Sequence, residues 1–312
     1  MLLSAVVMVF FVKATLFVVA QNNTILDALL NNGASTLHDI ITNNPNHKSL
    51  VEYMTQPDAS YTFFAPSDNA IQEAGLKNSQ DNDYSDRFRY YIISNERLSQ
   101  DEIHKEHRLR NSSFVPKQGK NHHTPLLIGT SPDGIWSYGE KGKIIQGDVQ
   151  ASNGVVHIID HVLPVPGSAE HVLQAIPQTR DYANKLNSLN MSLQLFTHAT
   201  VFAPTNDAIK RINELKQDLP TMALVLNHLV IDKSFDATSI KYSDKVVDNH
   251  GFGFNISHNA GTNSSINGIP VLMADQIFDD GLIHVTDGIV LRGGLDQPKA
   301  DLPQPDTSNA MK

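Results

Sequence analysis

The chain contains one stretch of eleven residues twice, and this repetition constrains its fold more than any other feature. Residues 153–163 are NGVVHIIDHVL and residues 280–290 are DGLIHVTDGIV. They align without a gap, and three residues coincide at the pairs Gly154/Gly281, His157/His284 and Asp160/Asp287. A second repeated pair, FAPSDNAI (64–71) and FAPTNDAI (202–209), precedes them in the same order. The sequence therefore predicts a tandem duplication of one unit of about 130 residues, an ordinary domain size.

Composition excludes several classes of protein. The 312 residues are enough for two domains that each bury a core, and 40% hydrophobic with 18% charged residues is typical of globular chains. A net charge of −9 without basic runs argues against nucleic acid and against an anionic membrane surface. The absence of cysteine excludes thiol catalysis, disulfide bonds and cysteine-ligated zinc.

The two ends of the chain differ from its middle. Residues 1–20 contain an unbroken apolar run from Ala5 to Val12, and Ala20 suits cleavage of a signal peptide. The alternative is an uncleaved anchor, which would place Lys13 near the middle of the membrane. Residues 293–312 are polar and rich in proline and aspartate, which predicts a disordered tail and no C-terminal lipid anchor.

Five N-x-S/T sequons support entry into the secretory pathway, where such asparagines accept glycans. They begin at Asn22, Asn111, Asn190, Asn255 and Asn263.

The FAPSDNAI motif predicts a corner between a strand and a helix. Proline favours an extended residue before it, so the strand should end at Ala65, just before Pro66. Ser67 is then placed to cap a helix that starts at Asp68. Pro204 and Thr205 repeat this pattern in the second copy. We interpret the motif as structural rather than as a ligand site.

Each unit begins with helical segments and ends with strands, which predicts an α+β fold. The predicted elements are helices at 24–32, 36–42, 47–54, 84–94 and 222–231, hairpins at 126–149 and 245–277, and a loop insertion at 97–123. The linker at 164–167, PVPG, is short and stiff, so we expect a fixed relation between the domains. The predicted boundaries are 21–166 for domain 1 and 167–292 for domain 2.

These two motifs, each present twice in order, resemble the two conserved blocks of the fasciclin family. The resemblance covers the chain from about Thr24 to Leu291. It implies tandem α+β domains, each a β-sandwich or wedge flanked by short helices. It also implies an extracellular protein, often glycosylated, that acts in cell adhesion or matrix association.

The resemblance also indicates where an adhesive site would lie. Vertebrate members carry a Tyr-His pair between the two blocks, flanked by aliphatic residues. Here the corresponding positions are Tyr90-Tyr91 and Asn227-His228, so each copy keeps one half of the pair. Integrin binding by this route is therefore not expected, and the cysteine-free, sequon-rich chain also resembles fungal members.

The repeated histidine and aspartate are the natural candidates for catalysis, but their spacing opposes it. Side chains alternate along a strand, so His157 and Asp160 should point to opposite faces and cannot form a dyad without a bulge. His157 and His161 share a face but would be about 13 Å apart, too far to bind one metal ion. We expect each histidine to be partly buried and bonded to backbone, and Asp160 and Asp287 to close their strands through local bonds. His122-His123 makes an incomplete metal site, and no cofactor is predicted.

Three functional hypotheses follow. The favoured one is a secreted, glycosylated adhesion or cell-surface and matrix-associated binding module, without catalytic activity, whose partner is a cell-surface protein or glycan. It predicts an exposed apolar patch near Tyr90 and Tyr91. The alternative is a protein of the secretory or vacuolar pathway that binds a lipid or small hydrophobe in a cavity. A hydrolase, the third, would need a nucleophile and base that the motifs do not supply. Membrane contact is expected only through a partner or an uncleaved N-terminal segment. Delivery to a vacuole or lysosome stays open beside secretion.

Overall fold

A computed structural model describes most of both domains. The described residues are 23–76, 82–105, 108–116, 123–130, 133–137, 140–191, 199–214, 230–231, 245–247, 253–258 and 264–290. The predicted signal peptide and C-terminal tail lie outside these ranges.

Domain 1 begins with short helices and continues into strands. The helices are α1 (Ser35–Thr42), α2 (Lys48–Met54), α3 (Asp68–Glu73), α4 (Ser85–Tyr90) and α5 (Gln100–Lys105), with 3-10 turns at Asp27–Leu29 and Pro45–His47. The strands are β1 (Tyr61–Pro66), β2 (Ile92–Ser94), β3 (Arg108–Asn111), β4 (Pro125–Thr130), β5 (Asp133–Ser137), β6 (Glu140–Ala151) and β7 (Gly154–Ile159).

The described part of domain 2 repeats this order. Its helices are α6 (Ala169–Ala175), α7 (Arg180–Ser188) and α8 (Asn206–Glu214), with a 3-10 turn at Pro177–Thr179. Its strands are β8 (Ala199–Pro204), β9 (Val230–Ile231), β10 (Lys245–Val247), β11 (Gly253–His258), β12 (Ser264–Ile266), β13 (Ile269–Phe278) and β14 (Gly281–Thr286). The prediction of two tandem α+β domains is confirmed.

The two repeated motifs lie side by side in each sheet. The strand order is β2-β1-β7-β6-β5-β4-β3 in domain 1 and β10-β11-β12-β13-β14-β8-β9 in domain 2. Strands β1 and β7 pair in parallel, as do β8 and β14, whereas the other neighbours are antiparallel. Every residue of these four strands is buried. A parallel pair covered on both faces explains their near-continuous apolar sequences.

The sheet of domain 1 folds over until its two ends meet. Ser113 N donates to Ile92 O at 2.7 Å, and Ile93 forms an isolated bridge with Ser112. This contact joins the chain just after β3 to β2, the strand at the other end of the order. The closure covers backbone groups that an open sheet edge would leave unpaired.

The strand-to-helix corner is present in both domains as predicted. Ser67 is extended at φ −66° and ψ 163°, and its side chain accepts a hydrogen bond from Ala70 N at the start of α3. Thr205 Oγ1 accepts from Ala208 N at 3.3 Å in the second copy. The hydroxyl therefore satisfies one of the backbone donors that a helix start leaves free.

Removal of this cap should destabilise domain 1 modestly. We expect Ser67→Ala to lower the free energy of unfolding by about 1 kcal/mol, measured by urea denaturation. Ser67→Thr, which installs the residue of the second copy, should stay within about 0.5 kcal/mol of the wild type. Equal losses in both variants would show that the hydroxyl is not the cause.

Three predictions about local structure were wrong. The segment 24–32 is not a helix, because it contains only the 3-10 turn Asp27–Leu29. The segment 84–94 is not one helix, because α4 ends at Tyr90 and residues 92–94 form β2, paired with β1. The segment 97–123 is not a simple loop insertion, because its described residues include α5 and β3. The helix predicted at 222–231 lies outside the described residues, except that Val230–Ile231 is a strand.

Candidate functional site

The histidine of the repeated motif is fully buried in domain 1. His157 Nε2 lies 2.8 Å from Leu98 O and donates to it, while Nδ1 accepts from Asp148 N at 3.2 Å. The ring stacks on Phe64 with centroids 5.5 Å apart. Burial lowers the pKa of His157, although the Leu98 carbonyl and the Asp148 charge act in the opposite direction. His157 is therefore a neutral histidine that joins β6 to the segment before α5.

The same geometry recurs in domain 2. His284 is also fully buried, and its Nδ1 accepts from Asp275 N at 3.2 Å. Its ring stacks on Phe202 with centroids 5.9 Å apart. The prediction that both histidines bond to backbone is confirmed, but they are buried completely rather than in part.

The donor to each histidine lies at a β-bulge. Asp148 and Asp275 have φ angles of 57° and 55°, and each lies within a register shift of its strand, β6 or β13. A left-handed aspartate turns its N–H out of the sheet ladder, which leaves that N–H free to bond to the imidazole. We did not predict this role from the sequence, although an aspartate nine residues before each histidine was a readable signal.

The repeated aspartates bond to the neighbouring strand rather than through the local bonds that were predicted, and the two domains do so by different means. Asp160 Oδ1 accepts from Lys143 N at 2.8 Å and its N–H donates to Lys143 O at 3.0 Å. In domain 2 the residue in place of Lys143 is Pro270, which has no N–H, so only the Asp287 N to Pro270 O bond forms, at 3.0 Å. Arg211 Nη2 donates to Asp287 O at 2.7 Å instead.

The predicted adhesive patch at Tyr90 and Tyr91 is wrong. Both side chains are fully buried in the domain 1 core. Tyr91 Oη donates to Leu163 O at 2.6 Å, and burial raises its pKa. Tyr91 therefore holds the end of the repeated motif, and neither tyrosine faces solvent. Asn227 and His228 lie outside the described residues.

A shallow cleft lies near the His157 bulge. Its volume is about 420 Å³ and its lining residues are Gln100, Asp101, His104 and Asp148. Asp148 Oδ1 accepts from Gln100 N at 2.9 Å, which joins α5 to the bulge. Within the described ranges, no three His, Asp or Glu side chains are grouped closely enough to hold a metal ion. His122, half of the His122-His123 pair, is outside those ranges.

The fasciclin domain model matches residues 32–166 and 172–292. The chain belongs to the fasciclin family. Both matched segments contain the two motifs that lie side by side in the sheets, so the family match covers both copies of the repeat.

The chain shares modest identity with several known proteins. Human periostin is 25% identical over 258 residues, which cover 74% of this chain and 28% of periostin. Aurofusarin biosynthesis cluster protein S of Gibberella zeae is 29% identical over 187 residues, or 45% of this chain and 46% of that protein. The chain thus spans less than half the length of these relatives. A fasciclin domain pair from the insect cell adhesion molecule Fasciclin I is 21% identical, with a TM-score of 0.38 over 84% of this chain and 98% of that one.

Three of the five sequon asparagines are described, and all three are exposed. Asn111 ends strand β3, Asn190 follows helix α7 with φ 51°, and Asn255 lies in strand β11. Asn22 and Asn263 are outside the described residues. Among the described helices of this fasciclin-family chain, none has the length and apolar character needed to cross a membrane.

Proposed function

We propose that the protein is a secreted, glycosylated adhesion or matrix-associated module that binds a cell-surface protein or glycan and has no catalytic activity. One observation carries the proposal. Both domains repeat a histidine and an aspartate, and these residues form hydrogen bonds to backbone groups. The histidine holds a bulge, and the aspartate closes a strand. The shared motifs therefore maintain a scaffold, and recognition is left to its surface.

Family membership supports this proposal, because the fasciclin resemblance implies extracellular adhesion or matrix association. The three exposed asparagines are compatible with glycans at Asn111, Asn190 and Asn255. Secretion would follow from cleavage of residues 1–20. The recognition surface would lie elsewhere than at the buried Tyr90 and Tyr91.

The lipid-binding alternative has less support. A hydrophobic ligand needs an apolar cavity with few polar groups. The cleft of about 420 Å³ is instead lined by an amide, an imidazole and two carboxylates. This cleft therefore gives no support to a lipid ligand.

The test combines intact mass with an attachment assay on the full chain made by a eukaryotic secretory host. We expect a form that begins at Gln21, loses mass with an N-glycosidase and supports cell attachment when coated on a surface. A chain in which Asn111, Asn190 and Asn255 are changed to Gln is the matched control for glycan-dependent attachment. A form that stays in the cytosol with Met1 and without glycans, and that fails to support attachment, would overturn the proposal.

A further inference from the structure

An apolar cluster lies between the two domains. It consists of Leu127 on β4, Ile277 on β13 and Leu282 on β14, all fully buried. Leu109 and Trp136 of domain 1 pack against it. We call these five residues the seam. Residues from both halves of the duplication meet there, in a cluster separate from the core of either domain.

The seam residues lie on one face of strands whose opposite face packs in the core of a domain. On β4, Leu126 and Ile128 belong to the domain 1 core, and Leu127 between them points to the other side. On β14, Ile283 belongs to the domain 2 core and Leu282 to the seam. The same alternation on both sides shows that each domain presents an apolar face beyond its own core.

The linker is anchored on both sides of the seam. Pro164 O accepts from Ser137 Oγ of domain 1 at 2.8 Å. Gly167 O accepts from Asp279 N of domain 2 at 2.8 Å. A short connection held at both ends leaves the domains little freedom to move apart.

The duplication allows the seam residues to be compared with their counterparts in the other domain. By sheet register, the Ile277/Leu282 pair corresponds to Gln150/Val155 of domain 1. By the same reasoning, Leu127 corresponds to Asn255 of domain 2. Gln150 and Asn255 are exposed. The pairs Ile277/Gln150 and Leu127/Asn255 therefore differ in the same way. The residue is apolar where the two domains meet and polar where they do not.

This difference matters because the contact is head-to-tail. We call the surface around Leu127 or Asn255 face A, and the surface around Ile277 or Gln150 face B. The seam joins face A of domain 1 to face B of domain 2. Among the described residues, the other two faces are exposed at Gln150 in domain 1 and at Asn255 in domain 2, whereas Val155, the counterpart of Leu282, is buried. We call these two remaining faces the free faces. Such heterologous contacts extend into filaments when the free faces are also complementary.

We infer that the seam fixes the two domains as one unit, and that Gln150 and Asn255 keep the free faces from adding further domains head-to-tail. A polar side chain at each free face would have to lose its hydration to be buried in a second seam. A glycan on Asn255 would block face A of domain 2 still further. Head-to-tail association therefore stops at the two domains of one chain.

The first experiment exchanges seam residues for their counterparts, which the fold already accepts at the same register. We expect Leu127→Asn and Ile277→Gln to increase the radius of gyration in X-ray scattering and to speed protease cleavage at 164–167 several-fold. Ile145→Asn and Leu272→Gln are matched controls, since these equivalent bulge residues are 57% and 51% exposed. Seam variants that match the controls in both readouts, with folded domains by circular dichroism, would overturn the fixed pairing.

The second experiment makes the free faces apolar. We expect the Gln150→Ile/Asn255→Leu double variant to self-associate with concentration in sedimentation velocity, whereas the wild type stays a monomer. Ser257→Ala removes the sequon but keeps Asn255, so it separates the effect of the glycan from that of the side chain. A double variant that stays monomeric, or a wild type that already forms filaments, would overturn the role of the polar residues.

Discussion

Replacing His157 with leucine is expected to lower the free energy of unfolding of domain 1 by about 3–5 kcal/mol. Leucine fills a similar volume but leaves Leu98 O, which is buried, and Asp148 N, which is partly buried, without their partner. Each buried group left unsatisfied costs about 1–3 kcal/mol. The loss of stacking on Phe64 adds to this cost. Urea denaturation followed by circular dichroism measures the change.

The control variant changes His161, which lies four residues after His157. The side chain of His161 is 59% exposed and contacts Asp160 through Nδ1 at 2.9 Å. His161→Leu should therefore change the free energy of unfolding by less than about 1 kcal/mol, as surface ion pairs usually do. If the two variants were equally stable, the buried hydrogen bonds of His157 would contribute nothing, contrary to the role assigned to them.

The duplication and the strand-to-helix corner could be predicted because their signals are local. A proline followed by a capping hydroxyl determines where β1 ends and α3 begins. The role of the repeated histidine was also predictable in part, since strand alternation separates it from Asp160. Its actual partners, Leu98 O and Asp148 N, could not be derived, because they come from a distant segment and an adjacent strand.

The left-handed aspartates show a second limit of prediction from sequence. A positive φ is expected first of glycine, and Gly147 stands beside Asp148, so the sequence does not reveal which residue takes the unusual conformation. In domain 2 the neighbour is Ala274, and the aspartate again has the positive φ. Only the comparison of both copies, with the bulge in view, assigns the conformation to aspartate.

The adhesive patch was predicted wrongly because 84–94 was taken for one helix. Ile92 and Ile93 are β-branched, and their pairing with β1 overrides the helical interpretation. Because β2 pairs with β1 at the edge of the sheet, the residues just before β2 lie against the core. Tyr90 and Tyr91 are therefore core side chains. Tertiary pairing of this kind is not visible in the periodicity of a short apolar run.

Acid is expected to destabilise domain 1 through His157. Burial lowers the pKa of its imidazole below the ordinary value near 6.5. The lowered pKa belongs to the folded chain and the ordinary pKa to the unfolded chain. Between these two values the unfolded chain binds a proton that the folded chain does not, so the free energy of unfolding falls as the pH falls through this window. The contribution of neutral His157 is complete above about pH 6.5 and is lost progressively below it. Protonation would also turn Nδ1 into a donor facing the donor Asp148 N–H.

Comparison with His157→Leu isolates this effect from the carboxylates that also titrate in acid. We expect the stability difference between the two proteins to shrink below pH 6.5, by up to about 1.4 kcal/mol per pH unit. Urea denaturation of both proteins at pH 7.5, 6.5, 5.5 and 4.5 measures that difference. Because the leucine variant has no proton to bind at this position, its own stability should fall less steeply than that of the wild type. A constant difference across the series would mean that His157 is protonated equally in the folded and unfolded chain, contrary to its complete burial and its two backbone hydrogen bonds.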